Sequence, residues 1–432
     1  MRVTFYTLGC KVNQNETGAL AQLFKENGYT VVSNEEGADV YIVNSCTVTN
    51  FGDQKSRKWL RRAKRENPGA VTVLTGCYPQ AFPEEAAEIA EADVVTGSGN
   101  RHAILADVQK VLNGEEERVV DIRPHEKGER FEELPMDKFA EHTRAFVKVE
   151  DGCNRRCAYC VIPRARGPVR SRDEASVLEE LRRLSDAGYK EVVLTAISLP
   201  SYGTDSGTSL VELIEKAAEV PGIERIRLGS LDPDMLHDED ILRMAGVKKL
   251  CPQFHLSLQS GCDKTRRAMP RPYTTAQYAD IAAKLREAFG AEKVSFTTDV
   301  IVGFPGETEE DFEASMAFVT GMQFLKVHVF PYSRREGTAA YDFPSQVPEH
   351  EKESRSRRMT AAVEEVRAAE VAAMQGRPAS VLLETPLSNT LFTGYTKQYL
   401  PVLVSAPGHK TGDIVDVTLG AWDGKRCRAE SI

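Results

Sequence analysis

Short apolar runs alternate with amphipathic stretches along the first part of the chain. Strands are predicted from β-branched apolar runs at 3–8, 39–44, 70–75 and 93–96. Helices are predicted at about 17–27, 50–66 and 101–112. This β-α-β order predicts a small Rossmann-like α/β domain with parallel strands over residues 1–113.

A second alternation follows an acidic, irregular stretch at 114–140, which is typical of a linker. Between 141 and 375, strands are predicted at 145–149, 191–195, 225–228, 253–258, 293–301 and 324–329. Helices are predicted at about 173–187, 209–219, 234–245, 275–289, 308–321 and 348–374. Six strand–helix units predict a partial (βα)6 barrel, with its chemistry at the carboxyl ends of the strands.

The last segment, residues 376–432, changes to short β-rich pieces separated by Gly, Pro and Asn turns. Strands are predicted at 379–384, 390–395, 401–405, 414–419 and 425–430, which indicates a small closed β-barrel. On such a barrel Phe392, Tyr395 and Tyr399 could stack on RNA bases. The alternative for each aromatic side chain is that it fills the barrel core.

Composition narrows the class of protein. The 432 residues are 41% hydrophobic and 28% charged, which is typical of several globular domains. No apolar run approaches the ~18–20 residues needed to cross a bilayer, and no signal peptide is visible. We therefore expect a cytoplasmic protein without a membrane partner. The net charge of −9 argues weakly against nucleic acid, although phosphate is bound by local patches rather than by average charge.

Three of the nine cysteines form a tight motif, Cys153-x3-Cys157-x2-Cys160, directly after the first predicted barrel strand. Thiolates at this spacing can hold one face of an iron–sulfur cube and leave the fourth iron without a protein ligand. An open iron can bind S-adenosylmethionine, and an electron from the cluster can then cleave the sulfonium to an adenosyl radical. Zinc and chance are the alternatives, but no second Cys/His pair with zinc spacing follows.

A second trio, Cys10, Cys46 and Cys77, follows the ends of three predicted strands of the first domain. Loops that leave the carboxyl ends of parallel strands gather at one edge of a sheet. Three unrelated buried thiols would not all occupy the same strand position. The placement therefore predicts a second three-cysteine cluster, and Cys251, Cys262 and Cys427 are interpreted as ordinary reduced cysteines.

Basic residues accumulate near both trios. Seven lie within 55–65 with no acid, and eight lie within 144–172 against Glu150 and Asp151. Either run alone is most simply a solvated surface, but their proximity to the cysteines favours an anionic substrate. Within the second run, the candidate phosphate contacts are Arg155, Arg156, Arg164 and Arg166.

Two further residues are candidates for contact with the cofactor. Tyr159 directly precedes the last cysteine of the loop motif. Gly303 begins a Gly-Phe-Pro-Gly turn between a predicted strand and a predicted helix, where backbone can approach a ligand closely. The alternative for Gly303 is a plain turn followed by a helix cap.

Several motifs together resemble the radical S-adenosylmethionine methylthiotransferases over the whole chain. They are Thr7-Leu-Gly-Cys-Lys-Val-Asn-Gln14, Asn44-Ser-Cys-Thr47, Thr75-Gly-Cys77, Asp151 to Cys160, Arg166-Gly-Pro-Val-Arg-Ser-Arg172, Leu256 to Gly261 and Thr298 to Thr308. The first and fifth of these most resemble the branch that acts on N6-threonylcarbamoyladenosine in transfer RNA, next to the anticodon.

This resemblance implies three domains: an N-terminal α/β domain, a radical barrel and a C-terminal RNA-binding β-barrel (TRAM, OB-like). It implies two [4Fe–4S] clusters, one on Cys153, Cys157 and Cys160 that generates the radical, and an auxiliary one on Cys10, Cys46 and Cys77. It also implies S-adenosylmethionine, the tRNA anticodon stem-loop rather than DNA as partner, and an electron donor such as flavodoxin or ferredoxin. Both clusters are then expected to face one cavity, into which the target base leaves its stack.

The chain departs from the family pattern at four positions: Ala196, Ser198, Gly229 and Cys262. These departures are expected to affect the nucleotide pocket. Two alternatives keep the chemistry and change the substrate to isopentenyladenosine in tRNA or to an aspartate of a ribosomal protein. A third is a non-catalytic iron–sulfur RNA-binding or redox-sensing protein.

Overall fold

The computed structural model describes residues 1–34, 36–134, 136, 143–291 and 293–431. Its first part is a six-stranded parallel sheet with the strand order β2-β1-β3-β4-β5-β6. The strands are β1 Arg2–Thr7, β2 Thr30–Val31, β3 Val40–Ser45, β4 Val71–Gly76, β5 Val94–Thr96 and β6 Val119–Asp121. The helices are α1 Lys11–Glu26, α2 Asn50–Glu66, α3 Cys77–Ala81, α4 Pro83–Ala87 and α5 Ile104–Leu112.

This part differs from the sequence prediction in the short elements β2, α3 and α4, in the start of α1 and in strand β6. Helix α1 begins at Lys11 instead of about residue 17, because its first turns bury polar side chains (Asn13, Asn15 and Glu16) that interrupt the apolar pattern. Strand β6 lies inside the stretch predicted as a linker, where Val119 packs into the domain core. The predicted boundary at 140/141 lies outside the described residues, and the domain limits stay a prediction.

The central part is an open barrel of parallel strands in two sheets, ordered β11-β10-β7 and β12-β13-β14-β15. A short antiparallel pair, β8 with β9, carries the ends of the cysteine loop region. The strands are β7 Arg144–Lys148, β8 Glu150–Asp151, β9 Arg170–Ser171, β10 Glu191–Thr195, β11 Arg225–Leu228, β12 Ser230–Leu231, β13 Gln253–Leu256, β14 Ser295–Val302 and β15 Lys326–Pro331. The helices are α6 Ile162–Arg166, α7 Glu174–Asp186, α8 Leu210–Glu219, α9 Asp238–Gly246, α10 Asp263–Ala268, α11 Thr275–Phe289, α12 Glu309–Gly321 and α13 Glu349–Ala372.

The C-terminal part is a closed five-stranded barrel with the order β16-β17-β18-β20-β19. Its strands are β16 Pro378–Pro386, β17 Leu391–Thr396, β18 Pro401–Ser405, β19 Ile414–Trp422 and β20 Cys427–Ser431. Alternate residues point inward, as a half-buried strand requires, and Val402, Val404 and Val417 are fully buried. In the part of the chain that the structure describes, no helix is both long and apolar enough to cross a membrane.

Candidate functional site

Cys153, Cys157 and Cys160 lie half-buried in the loop between β8 and α6. The Cys160 N–H donates to the Cys157 carbonyl at 3.0 Å, and the Cys153 N–H donates to the Gly167 carbonyl at 3.0 Å. Burial raises the pKa of Cys153 to about 11 and that of Cys160 to about 12, and the Cys157 thiol contributes to both increases. The loop thus gathers the three thiols within electrostatic reach of one another.

A buried arginine faces this loop. Arg271 Nη1 donates to Cys157 Sγ at 3.4 Å, and Nε donates to the Tyr273 hydroxyl at 3.2 Å. Asp232 holds the guanidinium through an ion pair and also lies 3.1 Å from Arg155 Nε. Because the Arg271 guanidinium donates a hydrogen bond to sulfur, the loop is suited to a group with net negative charge, such as a cluster held by three thiolates.

The other trio meets at the carboxyl edge of the N-terminal sheet. Cys10 precedes α1, Cys46 follows β3 and Cys77 begins α3. Burial raises the pKa of Cys46 to about 12, with further increases from the Cys77 and Cys10 thiols, so the three thiols are neighbours. Gly9, at φ +103°, permits this approach because a Cβ there would lie 2.8 Å from Cys46 Cβ.

Neither trio is arranged as the ligands of a single ion would be. Among the described residues, no three His, Cys, Asp or Glu side chains are grouped to hold one metal ion. A cubane binds each thiolate through a different iron, so its ligands stand farther apart than those of one zinc ion. Three thiols are a donor set that a [4Fe–4S] cluster with one open iron can use.

Arg166 differs from its predicted role. Its side chain is fully buried, so it is not available to a backbone phosphate, and the prediction for this residue is wrong. Instead, Nε donates to Cys77 Sγ at 3.2 Å, Nη2 donates to Asn13 Oδ1 at 2.6 Å, and Nη1 pairs with Glu16 at 2.5 Å. Arg166, the last residue of α6, thus joins this helix to the N-terminal domain. The sequence does not show this role locally, because Cys77 lies more than 80 residues away.

The other three predicted arginines lie nearer the surface. Arg155 is half-buried and pairs with Asp232 and Asp234, Nη2 lying 2.9 Å from Asp234 Oδ2. Arg156 and Arg164 are exposed, and Arg164 lies over the Phe82 ring with 5.2 Å to its centroid. Arg156 and Arg164 are therefore accessible to an RNA backbone, whereas Arg155 is engaged by two carboxylates.

The two cofactor candidates have different surroundings. Tyr159 is half-buried within the loop that carries Cys153, Cys157 and Cys160, where burial raises its pKa and the Cys157 thiol adds to the effect. Gly303, in contrast, donates its N–H to Glu307 Oε1 at 2.7 Å, and a Cβ there would lie 2.5 Å from Lys352 Cγ. Its N–H is thus used by the turn itself, and the approach of Gly303 to a ligand stays a prediction.

A cavity of about 630 Å³ lies between the central barrel, the start of α1 and the C-terminal barrel. Cys10 and Lys11 form part of its wall, and Tyr395 and Tyr399 form another. The side chains from the barrel interior include Thr195, Gln253, His255, Thr297, Asp299 and His328. These side chains were not predicted as site residues, because no local motif marks the inward side of a strand.

A stacked pair of aromatic rings lines this cavity. Tyr395 and Tyr399 stack on each other with centroids 4.6 Å apart, and Arg144 lies 5.0 Å from each ring centroid. Tyr399 has φ +67°, a conformation that costs energy for a residue other than glycine and is often found at functional sites. The third predicted aromatic, Phe392, is buried in the core of the C-terminal barrel.

Of the four departures from the family pattern, two lie in the cavity wall, Ala196 and Gly229. Ser198 N–H donates to Glu150 Oε2 at 2.8 Å, and Cys262 is buried with Sγ 3.6 Å from Asp311 Oδ1. The departures at Ala196 and Gly229 thus shape the cavity, whereas Ser198 and Cys262 form contacts within the barrel.

One cysteine of each trio lines a cavity in the structure. Cys10 lines the large cavity, and Cys153 lines a groove of about 520 Å³ with Asn154 and Arg164. That both clusters face one cavity stays a prediction. Arg166 and its buried ion pairs lie between the N-terminal domain and the central barrel and connect the two cysteine regions.

Two family models match the chain: Radical SAM superfamily at residues 147–319, and Uncharacterized protein family UPF0004 at residues 2–97. Threonylcarbamoyladenosine tRNA methylthiotransferase MtaB of Bacillus subtilis (strain 168) is 39% identical, covering 96% of this chain and 93% of that protein. The protein of the same name from Thermotoga maritima is 34% identical, covering 100% and 98%. The tRNA-2-methylthio-N(6)-dimethylallyladenosine synthase of Clostridium novyi (strain NT) is also 34% identical, covering 96% and 92%.

The chain belongs to the radical S-adenosylmethionine methylthiotransferase family. This membership confirms the resemblance found in the sequence motifs, and it makes the protein an enzyme that uses a [4Fe–4S] cluster and S-adenosylmethionine. Among solved structures, the radical S-adenosylmethionine methyltransferase TsrM from Kitasatospora setae has a TM-score of 0.57 at 14% identity, covering 78% of this chain and 73% of that one. At that identity the likeness shows the radical S-adenosylmethionine fold alone.

Proposed function

We propose that this methylthiotransferase acts on N6-threonylcarbamoyladenosine next to the anticodon of transfer RNA, adding sulfur and a methyl group at C2. The observation that carries the proposal is the similarity to MtaB proteins along nearly the whole chain, at 34–39% identity for the two full-length relatives above. Similarity over all three parts includes the residues that form the large cavity as well as the cysteines.

Two sets of residues would hold the cofactors. Cys153, Cys157 and Cys160 would hold the radical cluster, with Tyr159 beside S-adenosylmethionine, and Cys10, Cys46 and Cys77 would hold an auxiliary [4Fe–4S] cluster. When bound, these groups supply radical attack at an unactivated C–H bond and the sulfur to be inserted, which no acid–base side chain could do at neutral pH. The residues of the chain position them: Arg271 donates to Cys157, and Arg166 donates to Cys77.

The large cavity is our candidate for the nucleoside site. Cys10 lies in its wall, so a base held there would lie beside the auxiliary cysteines. A base that leaves the anticodon stack needs a new aromatic surface. The stacked pair Tyr395 and Tyr399 offers one, and the rings of His255 and His328, 6.3 Å apart, offer another.

The RNA backbone would lie along the exposed arginines outside this cavity. Arg156 and Arg164 are the better candidates, and Arg155 could exchange an acidic partner for a phosphate. Such contacts release counterions, so RNA affinity should fall steeply with salt. We further propose a cytoplasmic enzyme reduced by a donor such as flavodoxin or ferredoxin.

A second candidate substrate is dimethylallyladenosine (isopentenyladenosine) in tRNA, which the 34% identity to the Clostridium novyi synthase favours. Mass spectrometry of tRNA nucleosides from a deletion strain distinguishes the candidates. We expect the methylthio form of threonylcarbamoyladenosine to disappear and its precursor to accumulate. Loss of the methylthio-dimethylallyl nucleoside instead would contradict the proposal, and no change in tRNA would point to a ribosomal-protein aspartate or to a non-catalytic role.

The auxiliary cluster has a separate test. Anaerobic reconstitution of the Cys46→Ala variant should give about half the iron of the wild type, because three other cysteines still hold the radical cluster. Cys427→Ala is the matched control, since Cys427 is also buried but lies in the C-terminal barrel. Equal iron content in the wild type and the Cys46→Ala variant would rule out the second cluster.

A further inference from the structure

One cation in the wall of the large cavity has no acidic partner. Lys11, the first residue of α1, lines the cavity directly beside Cys10 and is half-buried. In the described ranges, no carboxylate lies within the 4.0 Å of an ion pair from its ammonium group, and no side-chain hydrogen bond satisfies it. Its charged or titratable neighbours are the guanidinium groups of Arg144 and Arg227, the hydroxyl of Tyr399 and the thiol of Cys10.

The other cations of this region are neutralised within the protein. Lys326 Nζ lies 2.7 Å from Glu364, and Arg367 Nη1 lies 3.2 Å from the same carboxylate. Behind the cavity, Arg144 pairs with Glu384 at 2.6 Å and Arg227 pairs with Glu191 at 2.8 Å. Lys11 thus differs from these groups in lining the cavity without a carboxylate partner among the described residues.

The acidic side chain of Asp299, in the same wall, does not pair with Lys11. Asp299 lines the cavity, but its Oδ2 lies 3.4 Å from His255 Nε2 rather than near Lys11. Removing an ammonium group from water costs free energy unless an anion or an acceptor replaces the water. The environment of Lys11 therefore favours a bound anion at this end of the cavity.

The proposed substrate carries such an anion in the right part of the molecule. The threonylcarbamoyl group on N6 of the adenine ends in a carboxylate. N6 and C2 flank N1 on one edge of the base, whereas the phosphates lie beyond the ribose on the opposite side. A base whose C2 is presented to the Cys10 region therefore directs its N6 substituent, rather than its phosphates, to the residues around Cys10.

We propose that Lys11 binds the carboxylate of the N6 substituent of the substrate adenosine and thereby selects a charged substituent over an uncharged one. This inference rests on the proposed function. A dimethylallyl group would leave the ammonium without a partner in the filled cavity. That penalty acts against the wrong substrate, and the ion pair favours the right one.

The test compares RNA binding by the anaerobically reconstituted protein. Three anticodon stem-loops are used, with threonylcarbamoyladenosine, with its carboxylate methyl ester, and with unmodified adenosine. Dissociation constants come from fluorescence anisotropy. We expect the wild type to bind the acid about tenfold more tightly than the ester, which corresponds to about 1.4 kcal/mol.

Four variants complete the experiment. Lys11→Met should remove the preference for the acid, and Lys11→Arg, which keeps the charge, should retain most of it. Lys326→Met is the matched control, because Lys326 lines the same cavity but already has Glu364 as partner, and its acid-to-ester ratio should equal that of the wild type. Iron content is measured for each variant, and Lys11→Gln replaces Lys11→Met if the latter binds less iron.

The outcomes separate the inference from the proposed function. An unchanged acid-to-ester ratio in Lys11→Met would overturn the inference. Equal weakening of all three RNAs would also overturn it, because Lys11 would then bind a backbone phosphate. A wild-type protein that binds the threonylcarbamoyl and unmodified RNAs equally would contradict the proposed substrate itself.

Discussion

At the scale of single residues, Arg166 best illustrates how this molecule uses a buried charge. Its guanidinium contacts Glu16, Asp151, Asn13 and the Cys77 sulfur in the protein interior. The neighbouring cations lower the pKa of Glu16 to about 2 despite its burial. The two carboxylates thus stay ionised and hold the arginine against the cysteine.

Replacing Arg166 by methionine should therefore destabilise the protein strongly. Removing one partner leaves buried charge uncompensated, and we expect a loss of about 3–5 kcal/mol in the free energy of unfolding. Urea unfolding under anaerobic conditions measures this loss. Arg164→Met is the matched control on the same helix, because Arg164 is exposed and should cost no more than about 0.5 kcal/mol. Similar losses for the two variants would show that the network adds no stability.

At the scale of elements, the turn from Gly303 to α12 is held by one unusual carboxylate. Glu307 is buried, accepts the Gly303 N–H at 2.7 Å and pairs with Arg355 Nη1 at 2.9 Å. Burial raises its pKa to about 7, although both partners oppose the shift. Glu307 thus holds the turn, and its raised pKa means that folding favours the protonated carboxyl.

This raised pKa predicts the direction of a pH effect. Because the folded-state pKa lies above the unfolded value of 4.5, the contribution of Glu307 is fully present below about pH 4.5 and is lost as the pH rises to about 7. Relative to the wild type, Glu307→Gln should gain up to about 3 kcal/mol across this window. Urea midpoints at several pH values test it, with Glu353→Gln on the exposed face of α13 as control. Parallel pH profiles for Glu307→Gln and the wild type would contradict it.

At the scale of the whole molecule, buried arginines join the C-terminal barrel to the central one. Arg227 donates to the carbonyls of Lys397 and Thr396 at 3.0 and 3.2 Å, and Arg225 Nη2 donates to Ser380 Oγ at 2.8 Å. Glu191 compensates both guanidinium groups. This junction holds the turn of Tyr399 against the large cavity.

Removing hydrogen bonds from this junction should therefore speed hydrogen exchange in the turn that carries Tyr399. We expect Arg227→Met to speed hydrogen exchange at the amides of residues 396–400 by about tenfold, since two charge-assisted hydrogen bonds are lost. Arg243→Met, which removes a surface ion pair with Glu215, is the control. Unchanged exchange in the Arg227 variant would mean that its two hydrogen bonds do not hold the turn.

The longer strands and helices and the grouping of cysteines into two trios were predictable from the sequence by itself, whereas short elements such as β2, β9 and α10 were not. Strand β10 and helix α11 occur at the predicted residues, because apolar periodicity is a local property that the chain expresses wherever its neighbours lie. The trio of Cys10, Cys46 and Cys77 was predictable for a related reason. Parallel strands always bring their carboxyl ends to one edge.

Only the tertiary structure decided the roles of individual charges. Arg166 and Lys11 both lie beside a cysteine region, yet Arg166 is enclosed by carboxylates, whereas Lys11 faces a cavity and has no ion pair among the described residues. Likewise, Gly303 has the sequence of a ligand-binding turn but donates its N–H to Glu307. Whether a charge or an N–H is already satisfied depends on partners that the fold brings from elsewhere in the chain, and local sequence patterns do not record those partners.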